Sequence, residues 1–100
     1  VKEMIKVSGY SVFPEEVESI LILHPDVAQV AVIGVPDADK GEVVKAFVVP
    51  SAGAGSFDRD ALLAWARENM SHYKVPRQLE LLDALPATGT GKLLRRLLRG

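Results

Sequence analysis

The sequence predicts an α+β domain in which helices pack on a small, mostly antiparallel sheet with an N-terminal β-hairpin. Two β-branched runs are separated by one short turn, and two segments carry apolar residues at helical spacing. Strands and helices follow in the order ββαββαβ, before a last loop and helix. A chain of 100 residues, 48% of them hydrophobic, suits one globular domain.

The first third of the chain predicts a hairpin followed by a helix. Apolar stretches at residues 4–7 and 10–13 flank Ser8-Gly9, and a two-residue turn containing glycine is typical of a hairpin. Pro14 favours the first turn of a helix because its fixed φ suits that position. The helix is expected to end at His24-Pro25, since the residue before proline avoids the α region.

The middle of the chain predicts two paired strands. Residues 27–35 and 43–49 are apolar and rich in valine, which is typical of buried strands. The turn at residues 36–41 between them predicts antiparallel pairing. After a loop of small residues, Asp58 is expected to cap a helix of about twelve residues.

The last quarter predicts a short strand over residues 78–82, a small-residue loop over 86–91 and a basic helix over 92–99. The predicted core consists of Val17, Ile20, Leu21, Val30, Val32, Val44, Ala46, Val48, Leu62, Trp65 and Leu81.

Composition and charge exclude some kinds of chemistry and suggest a kind of binding partner. The absence of cysteine excludes disulfides and thiolate chemistry. No apolar run approaches the roughly 20 residues of a membrane span, and the start lacks a signal-peptide pattern, which favours the cytoplasm. Residues 1–70 carry a net charge of −5 and residues 71–100 a net charge of +4. This asymmetry suggests an anionic partner for the basic end, with a solvated charged tail as the simpler interpretation.

The segment over residues 86–92 is the strongest candidate for chemistry. Two glycines and two threonines precede Lys92, so a mobile backbone could bring the lysine to phosphoryl or carboxylate oxygens. A hinge loop with a solvent-exposed lysine is equally compatible. A nucleotide-binding P-loop is excluded, because Pro86 stands where that motif needs glycine and Leu93 where it needs serine or threonine.

No metal site is predicted. His24 and His72 have no neighbouring ligand set and are interpreted as structural. The acidic turn containing Asp37, Asp39 and Glu42 is interpreted as solvated.

The ordered motifs resemble one family over essentially the whole chain: the C-terminal domains of adenylate-forming enzymes, which include acyl-CoA synthetases, peptide-synthetase adenylation domains and luciferases. Its hinge and hairpin motif is similar to residues 2–10, followed by Pro14-Glu15-Glu16-Val17-Glu18. The later sequence motifs of the family are similar to residues 24–27, 34–37, 41–48, 73–76 and 85–96. The sequences of residues 5–10 and 45–49 resemble those of fatty-acyl ligases more than those of peptide synthetases.

The resemblance implies a two-step reaction. A carboxylate attacks the α-phosphate of ATP, with Mg²⁺, to give acyl-adenylate and diphosphate, and CoA then displaces AMP. Lys92 matches the catalytic lysine of the first step, and Lys2 matches the hinge about which the domain rotates between the steps.

Two further groups of residues match sites of the second step. The hairpin residues that match are Lys6, Ser8, Gly9 and Tyr10, with Gly9 bordering the pantetheine tunnel. Tyr73, Lys74 and Arg77 match positions that contact the CoA nucleotide in related ligases.

The resemblance also implies a partner. Residues 1–100 match a mobile C-terminal domain, so an N-terminal adenylate-binding domain of the same polypeptide is expected, and that domain selects the carboxylic acid. The isolated domain is expected to be inactive in adenylation. Acetylation of Lys92 would remove its charge and stop the first step.

Two alternatives remain open at this point. The first is an interaction module without catalysis, which docks a carrier protein or acidic partner through Arg95, Arg96 and Arg99. The second is a small nucleic-acid binder, which the acidic body and the lack of a basic-aromatic stripe disfavour.

Overall fold

A computed structural model describes residues 3–99; Val1, Lys2 and Gly100 lie outside the described residues, so the predicted hinge position Lys2 does too. The described strands are β1 (Ile5–Val7), β2 (Tyr10–Val12), β3 (Val27–Asp37), β4 (Gly41–Pro50) and β5 (Gln78–Leu81). The described helices are α1 (Pro14–Leu21), α2 (Arg59–Asn69) and α3 (Gly91–Arg99). The predicted element order and the α+β class are confirmed.

The five strands form one sheet in the order β2-β1-β4-β3, with β5 also paired to β4. β3 and β4 pair antiparallel along their whole length, whereas β5 runs parallel to β4 beside residues 45–48. β1 meets the start of β4, where Val7 lies opposite Gly41. A strand has only two edges and β3 occupies one of them, so β1 and β5 share the other. The hairpin therefore lies beside the segment that leads into β5.

The N-terminal hairpin is confirmed, with β1 and β2 paired antiparallel across Ser8-Gly9. Ser8 has φ +50° and Gly9 has φ +86°. Positive φ at both central residues is the mark of a type I′ turn, whose twist matches that of the flanking strands. The Ser8 N–H donates to the carbonyl of Lys40 at 2.8 Å, which ties the turn to the start of β4.

Helix α1 begins at Pro14 as predicted but ends at Leu21, three residues before His24. The Leu23 and His24 N–H groups each turn back to a carbonyl three residues earlier, at 3.1 Å. Pro25 prevents the helix from continuing further, but it does not determine that the helix ends at Leu21. Helix α2 begins after Asp58, whose carboxylate accepts the Ala61 N–H at 3.0 Å, so the predicted cap is confirmed.

The core lies between the sheet and helices α1 and α2. Seven predicted core residues are fully buried: Val17, Leu21, Val32, Val44, Ala46, Val48 and Leu62. Ile20, Val30, Trp65 and Leu81 are only half-buried. Alternate residues of β3 and β4 are buried as well, namely Ala31, Ile33, Val43 and Phe47. These were not predicted, because the prediction assigned only one face of the central strands to the core.

Candidate functional site

Lys92 lies in the first turn of α3 and its position follows from the residues around it. The Thr90 hydroxyl accepts the Leu93 N–H at 3.2 Å, and the Thr90 carbonyl accepts the Leu94 N–H at 3.1 Å. Thr90 therefore caps the helix, and Lys92 is its second residue. The Lys92 side chain is exposed, and within residues 3–99 its ammonium has no hydrogen-bond or ion-pair partner.

Lys92 borders an open groove of about 540 Å³ between the first turns of α1 and α3. Thr90, Gly91, Lys92 and Arg95 form the α3 wall, and Glu3, Phe13, Pro14, Glu15 and Glu16 form the opposite wall. One wall is thus cationic and the other acidic. No acidic residue lies in the first turn of α3 to neutralise the lysine.

A partly buried ion-pair cluster around Arg95 underlies this groove, and the sequence patterns did not predict it. Arg95 is 4% exposed, and its guanidinium binds both carboxylate oxygens of Glu18, at 2.6 and 3.2 Å. Its third nitrogen lies 3.7 Å from Glu3 Oε1, and Glu3 also pairs with Arg99. Burial lowers the pKa of Arg95, but the hydrogen bond and charge of Glu18 outweigh it and raise that pKa above its ordinary value.

The cluster corrects the predicted docking surface of Arg95, Arg96 and Arg99. Arg95 is buried against Glu18 and Arg99 pairs with Glu3, so of the three only Arg96 is exposed without a partner in the described chain. The only sign of this cluster in the sequence is the opposite net charge of residues 1–70 and residues 71–100. Acidic side chains of the first segment are themselves partners of basic side chains of the second.

The predicted hairpin residues lie at the opposite edge of β4 from β3. The Lys6 ammonium donates to the Ser11 hydroxyl at 2.9 Å, and the Lys6 N–H donates to Glu42 at 2.9 Å. Gly9 is exposed, and a Cβ placed on it would meet nothing within 4 Å. Within this domain the glycine is therefore required only by its positive φ.

Tyr10 links the hairpin to the segment before β5. Its ring stacks on Tyr73, with centroids 4.2 Å apart and planes at 15°. A small cavity of about 50 Å³ lies beside this pair, lined by Val7, Ser8, Tyr10, Lys40, His72, Tyr73 and Arg77. The structure thus brings together the predicted hairpin residues Ser8 and Tyr10 with Tyr73 and Arg77. Lys40 and His72 also line this cavity and were not predicted there.

Lys74 lies apart from that cavity. Its ammonium pairs with Glu16 of α1 at 3.1 Å, and its side chain is 20% exposed. It remains 5.8 Å from the Tyr73 ring centroid. Any contact of Lys74 with an added ligand would have to compete with Glu16.

The histidines and the acidic turn have structural contacts. His24 Nδ1 accepts the Asp26 N–H at 3.1 Å, and His72 packs edge-on against Tyr73. Asp37 accepts the N–H groups of Asp39 and Lys40, at 3.1 and 3.0 Å. In residues 3–99 no three His, Asp or Glu side chains are grouped closely enough to hold a metal ion. None of the helices described over that range has the length and apolar character to cross a membrane.

Comparisons with known proteins identify the family of this domain. The family model of the AMP-binding enzyme C-terminal domain matches residues 16–92. A feruloyl-CoA synthase of Amycolatopsis sp is 50% identical over 94 residues, which are 94% of this chain and 19% of that enzyme. A long-chain-fatty-acid–CoA ligase of Salmonella typhimurium is 45% identical over 98 residues, which are 98% of this chain and 17% of the ligase.

The fold has close counterparts among solved structures. The o-succinylbenzoate CoA synthetase of Bacillus subtilis, solved in complex with its acyl-adenylate intermediate, superposes with a TM-score of 0.84 at 34% identity. The match covers 97% of this chain and 19% of that one. The chain therefore spans about a fifth of the length of the relatives it matches.

Proposed function

The chain belongs to the family of AMP-binding enzyme C-terminal domains, and on that premise we propose that residues 1–100 are the mobile C-terminal domain of an AMP-forming acyl-CoA synthetase. The proposed reaction converts a carboxylate, ATP and CoA to acyl-CoA, AMP and diphosphate. The observation that carries the proposal is the exposed ammonium of Lys92 on the first turn of α3, which has no partner among residues 3–99. A larger N-terminal domain of the same polypeptide would bind the adenylate.

In the first step, an oxygen of the carboxylate bonds to the α-phosphorus and diphosphate leaves with the bonding electron pair. Negative charge on the carboxylate and phosphate oxygens opposes their approach. A positioned cation between these oxygens stabilises the transition state electrostatically. Lys92 supplies such a cation, since no carboxylate of the described chain holds it.

The placement of Lys92 also has a local cost that supports a functional role. A cation in the first turn of a helix lies at the positive end of the helix dipole, which disfavours it. The free N–H groups and the lysine together form a positive end that suits an anionic substrate. Departures of this kind from local stability rules are typical of functional positions.

For the second step, the hairpin cavity is the proposed side for CoA. Tyr10 and Tyr73 offer a stacked aromatic surface, and Arg77, Lys40 and His72 lie around it. Aromatic rings and basic side chains suit the adenine and phosphates of a nucleotide. The Ser8-Gly9 turn presents bare backbone next to this cavity, where the pantetheine arm would pass.

The hairpin cavity and the Lys92 groove share no lining residue. The proposal is that the domain turns one of these two faces toward the adenylate in each step, with Lys2 at the hinge. Mg²⁺ would arrive with the triphosphate of ATP as part of the substrate. Glu3, Glu15 and Glu16 line the Lys92 groove but form no three-ligand set.

The test uses the full-length parent protein carrying Lys92→Ala. We expect diphosphate release to fall by about 10²–10³-fold, because a transition-state cation is lost. Formation of acyl-CoA from preformed acyl-adenylate should be retained, because that step uses the other face. Arg96→Ala is the matched control, since Arg96 is an exposed cation on the same helix. Diphosphate release at the unaltered rate in Lys92→Ala would overturn the proposal.

A further inference from the structure

The anchoring of α3 is unusual because its one fully buried side chain is charged. Among its nine residues only Arg95 is buried, while Leu94 and Leu98 are half-buried and Leu93 and Leu97 are exposed. A helix this short is marginal in water without tertiary contacts. The ion pairs of Arg95 therefore help to fix the position of α3, together with the packing of Leu94 and Leu98.

Glu18 connects Arg95 to the sheet. Its Oε2 accepts both Arg95 Nε, at 3.2 Å, and the Val32 N–H of strand β3, at 2.9 Å. Its Oε1 accepts Arg95 Nη2 at 2.6 Å. A bidentate guanidinium–carboxylate pair fixes direction as well as distance. Helix α3 is thus held in a defined orientation against α1 and β3.

Arg95 also lies directly behind the turn that carries Lys92. A Cβ placed on Gly91 would lie 3.4 Å from Arg95 Nη2 and 3.6 Å from Cζ and Nη1. The guanidinium therefore occupies the space next to the Gly91 backbone, one residue before Lys92. Within residues 3–99 the Lys92 side chain has no hydrogen bond or ion pair that would fix it. The position of Lys92 therefore depends on the α3 backbone, which Arg95 holds in place.

Glu3 extends the same cluster to the start of the described chain. It pairs with Arg99 and lies 3.7 Å from Arg95 Nη1, and its buried Oε1 has no hydrogen-bond partner in the part of the chain that the structure describes. Residue 3 follows the proposed hinge directly. The backbone at Glu3 and the helix that carries Lys92 are therefore connected by side-chain ion pairs.

We propose that Arg95 and Glu18 are positioning residues for Lys92, and that Glu3 joins the hinge end of the chain to α3 so that both move as one body. This inference rests on the proposed role of Lys92. Burial lowers the pKa of Arg95, but the hydrogen bond and charge of Glu18 raise it above its ordinary value, so the guanidinium keeps its charge.

The main test is the double variant Glu18→Gln/Arg95→Met in the full-length parent. It removes both charges of the pair together, so neither is left unpaired, and Glu3 loses Arg95 but keeps Arg99. Glutamine keeps an acceptor for the Val32 N–H. We expect kcat for diphosphate release to fall about 10–100-fold with KM for ATP unchanged, because a displacement near 1 Å is enough for such a loss. Acyl-CoA formation from supplied acyl-adenylate should be unaltered. Arg96→Met, the same change one residue along, should alter neither step.

A double-mutant cycle separates positioning from general structural damage. In a Lys92→Ala background, Glu18→Gln/Arg95→Met should cause no further loss of adenylation, because the pair acts through the lysine. An additional loss in that background, or equal losses in both half-reactions, would overturn the inference. Arg95→Lys, which keeps the charge but loses the bidentate geometry, should give an intermediate rate.

The inference and the proposed function can fail separately. If Lys92→Ala leaves adenylation intact, the proposed function fails and the positioning role fails with it. If Lys92→Ala abolishes adenylation while Glu18→Gln/Arg95→Met does not reduce it, only the positioning role fails. Should the double variant be poorly folded, hydrogen exchange of residues 88–95 in Arg95→Lys gives the second readout. Faster exchange there than in Arg96→Met supports the inference, and equal exchange contradicts it.

Discussion

Gly34 of β3 lies against the side chains of Glu42 and Ile5, and replacing it with alanine is a stringent test of this packing. A methyl group on Gly34 would lie 2.7 Å from Glu42 Oε2 and 3.0 Å and 3.1 Å from Ile5 Cγ2 and Cγ1. The Glu42 carboxylate, whose Oε1 accepts the Lys6 N–H at 2.9 Å, would have to move away from the new methyl group. Ile5 is 1% exposed and has little free space. The new methyl group therefore displaces strand β1.

The magnitude follows from the cost of overpacking a filled site, about 1–3 kcal/mol. For a domain of this size, each kcal/mol lowers the melting temperature by about 4–8 °C. Urea unfolding of the 100-residue chain, followed by the fluorescence of its one tryptophan, Trp65, measures the free energy of unfolding. Gly55→Ala is the control, because its Cβ would meet nothing within 4 Å.

The same substitution has a functional consequence under the proposed function. Displacing β1 moves the hairpin, so Gly34→Ala in the full-length parent should slow acyl-CoA formation from acyl-adenylate more than it slows diphosphate release. The reasoning is refuted if Gly34→Ala is as stable as Gly55→Ala, or if both half-reactions slow equally.

Two further predictions address the cap of α2 and the aromatic pair. Asp58→Ala should lower the free energy of unfolding by about 1 kcal/mol, because the Ala61 N–H loses its acceptor. Asp58→Asn is the control, since asparagine keeps an acceptor oxygen. The urea midpoint of each variant measures the effect. Tyr73→Ala should raise KM for CoA in the full-length parent, because the stack with Tyr10 is lost, and should leave diphosphate release unchanged. Tyr73→Phe keeps an aromatic ring and should retain the parent KM for CoA. A rise in KM for CoA as large in Tyr73→Phe as in Tyr73→Ala would count against the stacking role.

Features encoded by neighbouring residues were predicted well from the sequence. Ser8-Gly9 predicted the hairpin, Pro14 the start of α1 and Asp58 the start of α2, because turn and cap chemistry acts over two to four residues. Lys92 was predicted as the first-turn residue of a basic helix, and the helix is confirmed. The roles of Lys92, of the hairpin residues and of the CoA-side residues remain predictions.

Other features depended on partners far apart in the chain. Residues 27–35 and 43–49 were predicted as buried strands, but the predicted core omitted Ala31, Ile33, Val43 and Phe47, since a local pattern does not say which faces of a sheet are covered. The cavity that joins Tyr10 to Arg77 arises because β1 and β5 occupy the same edge of β4. Strand order is a tertiary property that no local pattern specifies.

The sequence by itself determined the α+β class, the hairpin, the helix starts and the motif set that resembles adenylate-forming enzymes, since each of these rests on residues close together in the chain. Only the tertiary structure decided that Arg95 is buried rather than displayed. Helical periodicity places this arginine beside Lys92 and Arg99 on a charged face, which is normally solvated. Its carboxylate partner Glu18 is 77 positions away, and burial of a charge becomes acceptable only when folding brings such a partner within hydrogen-bonding distance.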